Sequence, residues 1–142
     1  MARRIVASTY KWKEAIGPYA VRGYHRNLFW GRYSDYFGFG KDEFLGLCQK
    51  LGAEPLIVLA APGKKPDLVE YAMNWVRYLN DAPSTEWGQK RSANGHPKPY
   101  DVTLFQIDNE PMNNGFTPET SAEIVDVTSP TSKASKSAKS RE

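Results

Sequence analysis

Three consecutive polar residues, Asp108-Asn109-Glu110, close a short apolar run, Val102-Thr103-Leu104-Phe105-Gln106-Ile107, and Pro111 follows shortly after. The run is rich in strand formers, and the proline, which has no N–H to donate, forbids further ladder bonding. A buried strand that delivers an acid and an amide at its C-terminal tip is how parallel α/β barrels build active sites. Glu110 in that position could protonate a glycosidic oxygen and then, as a carboxylate, take a proton from water. Asn109 beside it could hydrogen-bond a sugar 2-hydroxyl, a contact that tightens in the transition state. The opposing reading is an ordinary loop acid, because Asn-Glu as a dipeptide is a weak signal.

Other chemistry-bearing residues point elsewhere. The single cysteine, Cys48, sits among Phe44, Leu45, Leu47 and Leu51, which suits a buried structural thiol and leaves no internal disulfide. His96 lies between Gly95 and Pro97, and no further His, Cys or acidic ligands stand at matching spacing, so no metal and no cofactor are expected. His25 reads as a surface or packing residue. Residues 8–40 carry ten aromatics, among them Trp12 and Trp30, with no sustained helical or alternating period. Long loops of this kind are usually functional, and aromatic faces suit the C–H faces of sugar rings. Trp12 and Trp30 are therefore expected as substrate-binding residues, against the alternative that such rings pack the loop onto the body.

The elements that must position these residues alternate. Lys41–Leu51 reads as a helix with Phe44, Leu45, Cys48 and Leu51 on one face, Asp42 and Glu43 in its first turn, and Gly52 as its stop. Residues 55–61, apolar throughout, suit a strand covered on both faces. Residues 67–80 form a second helix with Leu68, Val69, Ala72, Met73, Val76, Leu79 and Trp75 inward. Residues 81–101 read as loop, and 102–108 as the next strand. Thr117-Pro118-Glu119 has the form of an N-cap, an N1 proline and a first-turn acid, so a third helix is expected over 119–127. A further strand is expected near residues 3–8. The order implies βαβ units in an α/β fold.

Composition bounds the rest. The chain has 142 residues, 40% of them hydrophobic, enough for one core but short of the ~250 of a closed eight-fold barrel. Of 19 basic and 16 acidic residues, four and one lie in 129–142, so the rest of the chain carries 15 of each. That balance gives no case for nucleic acid. No apolar run approaches the ~20 residues of a membrane span. The apolar stretch after Arg3-Arg4 is too short for a signal-peptide core. Residues 128–142 form a Ser/Lys/Ala tail with no large apolar side chain, expected to be disordered.

Several motifs occur in order: Tyr10-Lys11-Trp12-Lys13-Glu14-Ala15-Ile16-Gly17-Pro18, Phe39-Gly40-Lys41-Asp42-Glu43-Phe44-Leu45, Leu51-Gly52-Ala53-Glu54-Pro55, Trp75-Val76-Arg77-Tyr78-Leu79-Asn80, Gly95-His96-Pro97-Lys98-Pro99-Tyr100 and Asn109-Glu110. Together, over roughly residues 9–120, they resemble the α-L-arabinofuranosidases of glycoside hydrolase family 51. The resemblance implies a (β/α)8 TIM barrel followed by a β-sandwich, and retaining removal of terminal arabinofuranosyl groups from arabinan and arabinoxylan. It also implies that Glu110, at the end of strand four, is the acid/base with Asn109 beside it.

Three departures accompany it. The segment carrying the family's strand-seven nucleophile has no counterpart. The end of strand three reads Leu59-Ala60-Ala61-Pro62-Gly63 in place of an Asn and a Gly-Thr-Gly-like turn. Asp108 stands where Gly is frequent. A carboxylate so close could raise the pKa of Glu110, unless strand alternation points Asp108 elsewhere. The reading is a partial barrel domain over 1–127, about strands two to four, followed by the tail. A fragment of this kind is expected to have little activity alone. The expected partner is an arabinose-containing oligo- or polysaccharide. The alternatives are a non-catalytic carbohydrate-binding module and a half-barrel that self-associates through its open edges.

Overall fold

The structure is a computed structural model and describes residues 10–26, 33–59, 67–107 and 117–128. Its elements are two 3-10 turns (Trp12–Ala15 and Tyr19–Val21), β1 (Tyr24–Arg26), β2 (Ser34–Tyr36), α1 (Lys41–Leu51), β3 (Leu56–Leu59), α2 (Asp67–Asn80), α3 (Glu86–Ala93), β4 (Leu104–Ile107) and α4 (Pro118–Thr128). The architecture is mixed α/β. β1 and β2 form an antiparallel ribbon, and β3 and β4 form a small parallel pair. The strand expected near residues 3–8 and the tail 129–142 lie outside the described residues.

Three helices form where their local signals lie. α1 stops at Gly52, which takes the left-handed conformation (φ 64°) and donates its N–H to Gln49. At its start Glu43 accepts from the Gly40 N–H at 2.8 Å. α2 buries Ala72, Trp75, Val76, Tyr78 and Leu79, a stripe at helical spacing. Met73, expected inside, is half-buried, and Tyr78 takes the inner place. α4 begins as read: Pro118 opens it, and Thr117 Oγ1 accepts from the Thr120 N–H at 3.2 Å.

The core joins Trp12, Leu45, Ile57, Leu59, Trp75 and Leu79 with Val102 and Ile124. Cys48 is buried and unpaired by any disulfide. Among the described residues no helix is long and apolar enough to cross a membrane.

Three expectations change. Residues 81–101 are not all loop, because α3 occupies Glu86–Ala93. Trp87 is its one large apolar residue, so no stripe announced it. A cap and a buried cation hold it instead: Thr85 Oγ1 accepts from the Gly88 N–H at 3.1 Å, and Arg91 is fully buried. Residues 8–40 also contain regular structure, the two 3-10 turns and the β1–β2 ribbon, in pieces too short to display a period.

The third change concerns β3, which is not covered on both faces. Ile57 and Leu59 are buried, but Leu56 is 52% exposed, and its register partner Leu104 on β4 is 46% exposed. Ile57 and Leu59 face the core, whereas Leu56 and Leu104 on the other face are exposed and Val58 is half-buried.

Gly88 fixes how closely α3 approaches the preceding turn. A Cβ there would collide with the Ala82 carbonyl oxygen. Gly88→Ala is expected to cost about 2 kcal/mol, as overpacking against backbone does. Urea denaturation checks it, and an unchanged midpoint would contradict the packing described.

Candidate active site

β3 and β4 end level, with Leu59 opposite Ile107, so the chain leaves both strands at the same end of the sheet. Asp108, Asn109 and Glu110 follow Ile107 directly in sequence. They lie outside the described residues, as does Trp30. β4 enters its strand from a firmly held point. Asn80 Nδ2 donates to the Val102 carbonyl at 2.7 Å, its Oδ1 accepts from the Val102 N–H at 2.9 Å, and the Tyr100 N–H donates to Leu79 at 2.9 Å. The end of α2 thereby sets where β4 begins, and through four strand residues where its tip emerges.

Trp12, expected to contact sugar, is fully buried. Its indole stacks on Trp75 with centroids 5.9 Å apart and meets Trp87 at 5.2 Å, and its N–H donates to the Tyr71 carbonyl at 3.2 Å. In this structure the ring offers no face to a ligand. Its role is packing, because the rings of α2 and α3 have already claimed its surface.

Retaining hydrolysis needs a second carboxyl, and several acids are described. Glu43 binds the Arg22 guanidinium through both oxygens, at 2.7 and 2.9 Å. Burial pushes the Glu43 carboxyl up, but the hydrogen bonds from Arg22 and the Gly40 N–H outweigh it and hold it down at about 2. Glu54 accepts from Thr103 Oγ1 at 2.6 Å and precedes β3, at the opposite end of the sheet from Ile107. Glu86 pairs with Lys90 at 2.7 Å, which lowers its pKa. Glu119 stands in the first turn of α4. Glu43, Glu54 and Glu86 are thus each engaged by a partner of their own. Among the described residues no cluster of three His, Cys, Asp or Glu could hold a metal ion.

Sequence reasoning missed a buried polar cluster. Asp42, in the first turn of α1 as expected, also turns inward and accepts from the hydroxyls of Tyr78 (2.9 Å) and Tyr100 (3.0 Å). Burial, together with that carboxylate, raises the pKa of both phenols. Lys41 is buried beside it, its Nζ 4.0 Å from the Trp12 ring centroid and 4.3 Å from that of Tyr78. Burial pushes its amine well below the usual lysine range. Asn94 Nδ2 donates to the Tyr78 hydroxyl at 3.0 Å. The cluster ties α1, α2 and the approach to β4 together. No local periodicity could have signalled it, since its members come from four separate stretches of chain.

A cavity of about 310 Å³ lies between α2 and α3, lined by Glu70, Asn74, Arg77, Asp81 and Trp87 among others. Arg77 spans it, donating to Glu70 and Asn74 at 2.9 Å.

Comparison with known proteins places this arrangement. A probable alpha-L-arabinofuranosidase A of Aspergillus terreus is 33% identical over 74% of this chain and 18% of its own length. The intracellular exo-alpha-(1->5)-L-arabinofuranosidase of Bifidobacterium longum is 33% identical, over 72% of this chain and 18% of its own. Among solved structures, a family 51 alpha-L-arabinofuranosidase from Bifidobacterium longum superposes with a TM-score of 0.73 at 30% identity, over 92% of this chain and 26% of that one. An arabinose complex of the Thermotoga maritima enzyme gives 0.65 at 35%, over 73% and 21%. The chain thus spans about a fifth of the length of the curated relatives it matches. The family model described as alpha-L-arabinofuranosidase 1 domain matches residues 2–121, and the chain belongs to that family.

Proposed function

We propose that residues 1–127 are part of the TIM-barrel catalytic domain of a retaining arabinofuranosidase, about strands two to four, with 128–142 as an appended tail. The substrate class is terminal arabinofuranosyl residues of arabinan or arabinoxylan. The observation that carries the reading is the match over residues 2–121, joined to a parallel β3–β4 pair whose second strand runs directly into Asp108-Asn109-Glu110.

Glu110 acts first as the acid. It protonates the glycosidic oxygen while a second carboxylate attacks the anomeric carbon, so the leaving sugar departs with the proton and an arabinosyl ester forms. Glu110, now a carboxylate, takes a proton from water as that water attacks the anomeric carbon. The ester bond breaks, and arabinose leaves with retained configuration. Asn109 holds the 2-hydroxyl, and Trp30 lies against the sugar. None of the described acids is assigned as the second carboxylate, which this reading places outside residues 2–121. The 142-residue chain alone is therefore expected to release almost no nitrophenol from 4-nitrophenyl α-L-arabinofuranoside.

The test grafts residues 10–120 in place of the matching segment of the Bifidobacterium longum enzyme. An active chimera that loses turnover in Glu110→Gln supports the assignment. A folded chimera that is inactive with Glu110 present overturns it, as does turnover that survives the substitution.

One observation favours a second reading. Leu56 and Leu104 are register partners and both open to solvent on one sheet face. Two copies of the chain could cover these faces in a self-associating half-barrel. A strictly monomeric species in sedimentation velocity would exclude it.

A further inference from the structure

Tyr24 and Tyr36 stand directly opposite each other across the β1–β2 ribbon, so both rings rise from one face. They are 67% and 57% exposed, and Tyr19 beside them is 56% exposed. The Tyr36 hydroxyl donates to the Tyr19 carbonyl, which joins the 3-10 turn to the ribbon. Two exposed rings on one face, joined to the exposed Tyr19 through its carbonyl, thus make up a strip. Arg26 and Ser34, the next register pair on that face, extend it with a guanidinium and a hydroxyl.

The strip has a rigid mount. The Arg22 side chain is 4% exposed. It donates to the carbonyls of Gly17 (2.9 Å) and Phe37 (3.1 Å) and to both oxygens of Glu43. Its guanidinium carbon lies 4.4 Å from the Tyr19 ring centroid. The Phe37 N–H donates to Gly23 at 3.2 Å, so the segment entering β1 and the segment leaving β2 are locked together and to α1. Gly38 leaves room for the Tyr36 ring, which a Cβ there would approach to 3.0 Å. A platform held this way loses little further freedom when something settles on it.

Its chemistry narrows the occupant. Each ring has an apolar face for C–H contact; the Tyr24 hydroxyl can donate or accept, and the Tyr36 hydroxyl, which donates to Tyr19, can still accept. The buried cation beneath is neutralised by Glu43. A polyhydroxylated polymer, with C–H faces for the rings and hydroxyls for the tyrosine tips and the Arg26 guanidinium, fits such a surface better than an aliphatic partner.

We propose that the Tyr19–Tyr24–Tyr36 strip binds the backbone of an arabinose-bearing polysaccharide, giving the chain a polymer-holding surface built from residues other than those proposed to cleave the bond. The identity of the sugar rests on the function proposed above. The geometry of the platform does not.

The test is electrophoresis of the 142-residue chain through gels containing debranched arabinan, arabinoxylan or no polysaccharide. Retardation by one or both polymers is expected, and the pair tells which source supplies the ligand. The double substitution Tyr24→Ser/Tyr36→Ser should weaken retardation about tenfold, as loss of two ring contacts implies. Tyr24→Phe/Tyr36→Phe, which keeps the rings, should retain most of it. Glu110→Gln should leave it unchanged. An unretarded wild-type chain overturns the proposal. So does undiminished retardation of the serine variant. So does sedimentation showing that the serine pair converts a dimer to a monomer, because the strip would then be a self-association face. A folded but inactive chimera with retained retardation would overturn the catalytic reading and support this one, so the two failures are separable.

Discussion

Arg91→Met is expected to lower the unfolding free energy by about 4 kcal/mol, enough to leave much of the chain unfolded at 37 °C. The side chain is fully buried and, among the described residues, pairs with no carboxylate. It is surrounded by backbone oxygens. Nη1 donates to Tyr78 at 2.8 Å, Nη2 to Asp81 at 2.8 Å and Pro97 at 3.3 Å, and Nε to His96 at 3.0 Å. Charge-assisted bonds of this kind contribute roughly 1.5–3 kcal/mol each, and they are not additive.

Methionine fills a similar space, and replacing a complete buried ion pair by apolar residues can be neutral. Here the acceptors are carbonyls that cannot be removed with the arginine, so they remain buried and unsatisfied. The loss is also directed. Tyr78 and Asp81 close α2, and His96 and Pro97 lead to Tyr100 and Val102, so the entry of β4 loosens and with it the position of the strand tip. Urea denaturation at neutral pH checks the magnitude. A loss below ~1 kcal/mol would show that water reaches those carbonyls and that Arg91 does not anchor the loop.

The second large effect is at Arg22–Glu43 and shows itself through pH. The folded carboxyl of Glu43 titrates near 2, below its value in the unfolded chain. The native state therefore binds fewer protons than the unfolded state as pH falls. The pair's stabilisation is complete above the unfolded value near 4.5 and is lost as pH falls toward 2. Its size is on the order of 3 kcal/mol at neutral pH.

Arg22→Met should remove it. The variant's deficit is expected to be largest at pH 7 and to shrink on acidification. Without its partner the half-buried carboxyl keeps the backbone N–H groups of Gly40 and Glu43 against the opposing desolvation, and protonation then relieves a partly buried charge. Stability curves measured from pH 2 to pH 7 decide this. Parallel curves for the two proteins would mean that the pair is screened as an exposed one would be.

Sequence and structure divide this protein along a clear physical line. α1, α2 and α4 were legible because each advertises itself within a dozen consecutive residues, through apolar spacing, an acid or proline in the first turn, and, for α1, a glycine stop. The apolar runs that become β3 and β4 were legible for the same reason, and ordered motifs along the chain carried the family. α3 was not, because its stabilisation is a threonine cap and an arginine bonded to carbonyls up to thirteen residues away. The inward turn of Asp42 was hidden because its partners, Tyr78 and Tyr100, lie 36 and 58 residues on. The burial of Trp12 was hidden because α2 and α3 close over it. The sequence by itself determined α1, α2, α4 and the apolar runs of β3 and β4, and it marked Glu110 as the carboxylate to watch, because each of these rests on neighbours in the chain. Only the tertiary structure decided which aromatics became core and which stayed exposed, which acids were already paired, and which sheet face stayed open. Those outcomes depend on contacts between distant segments, which composition and spacing do not encode locally.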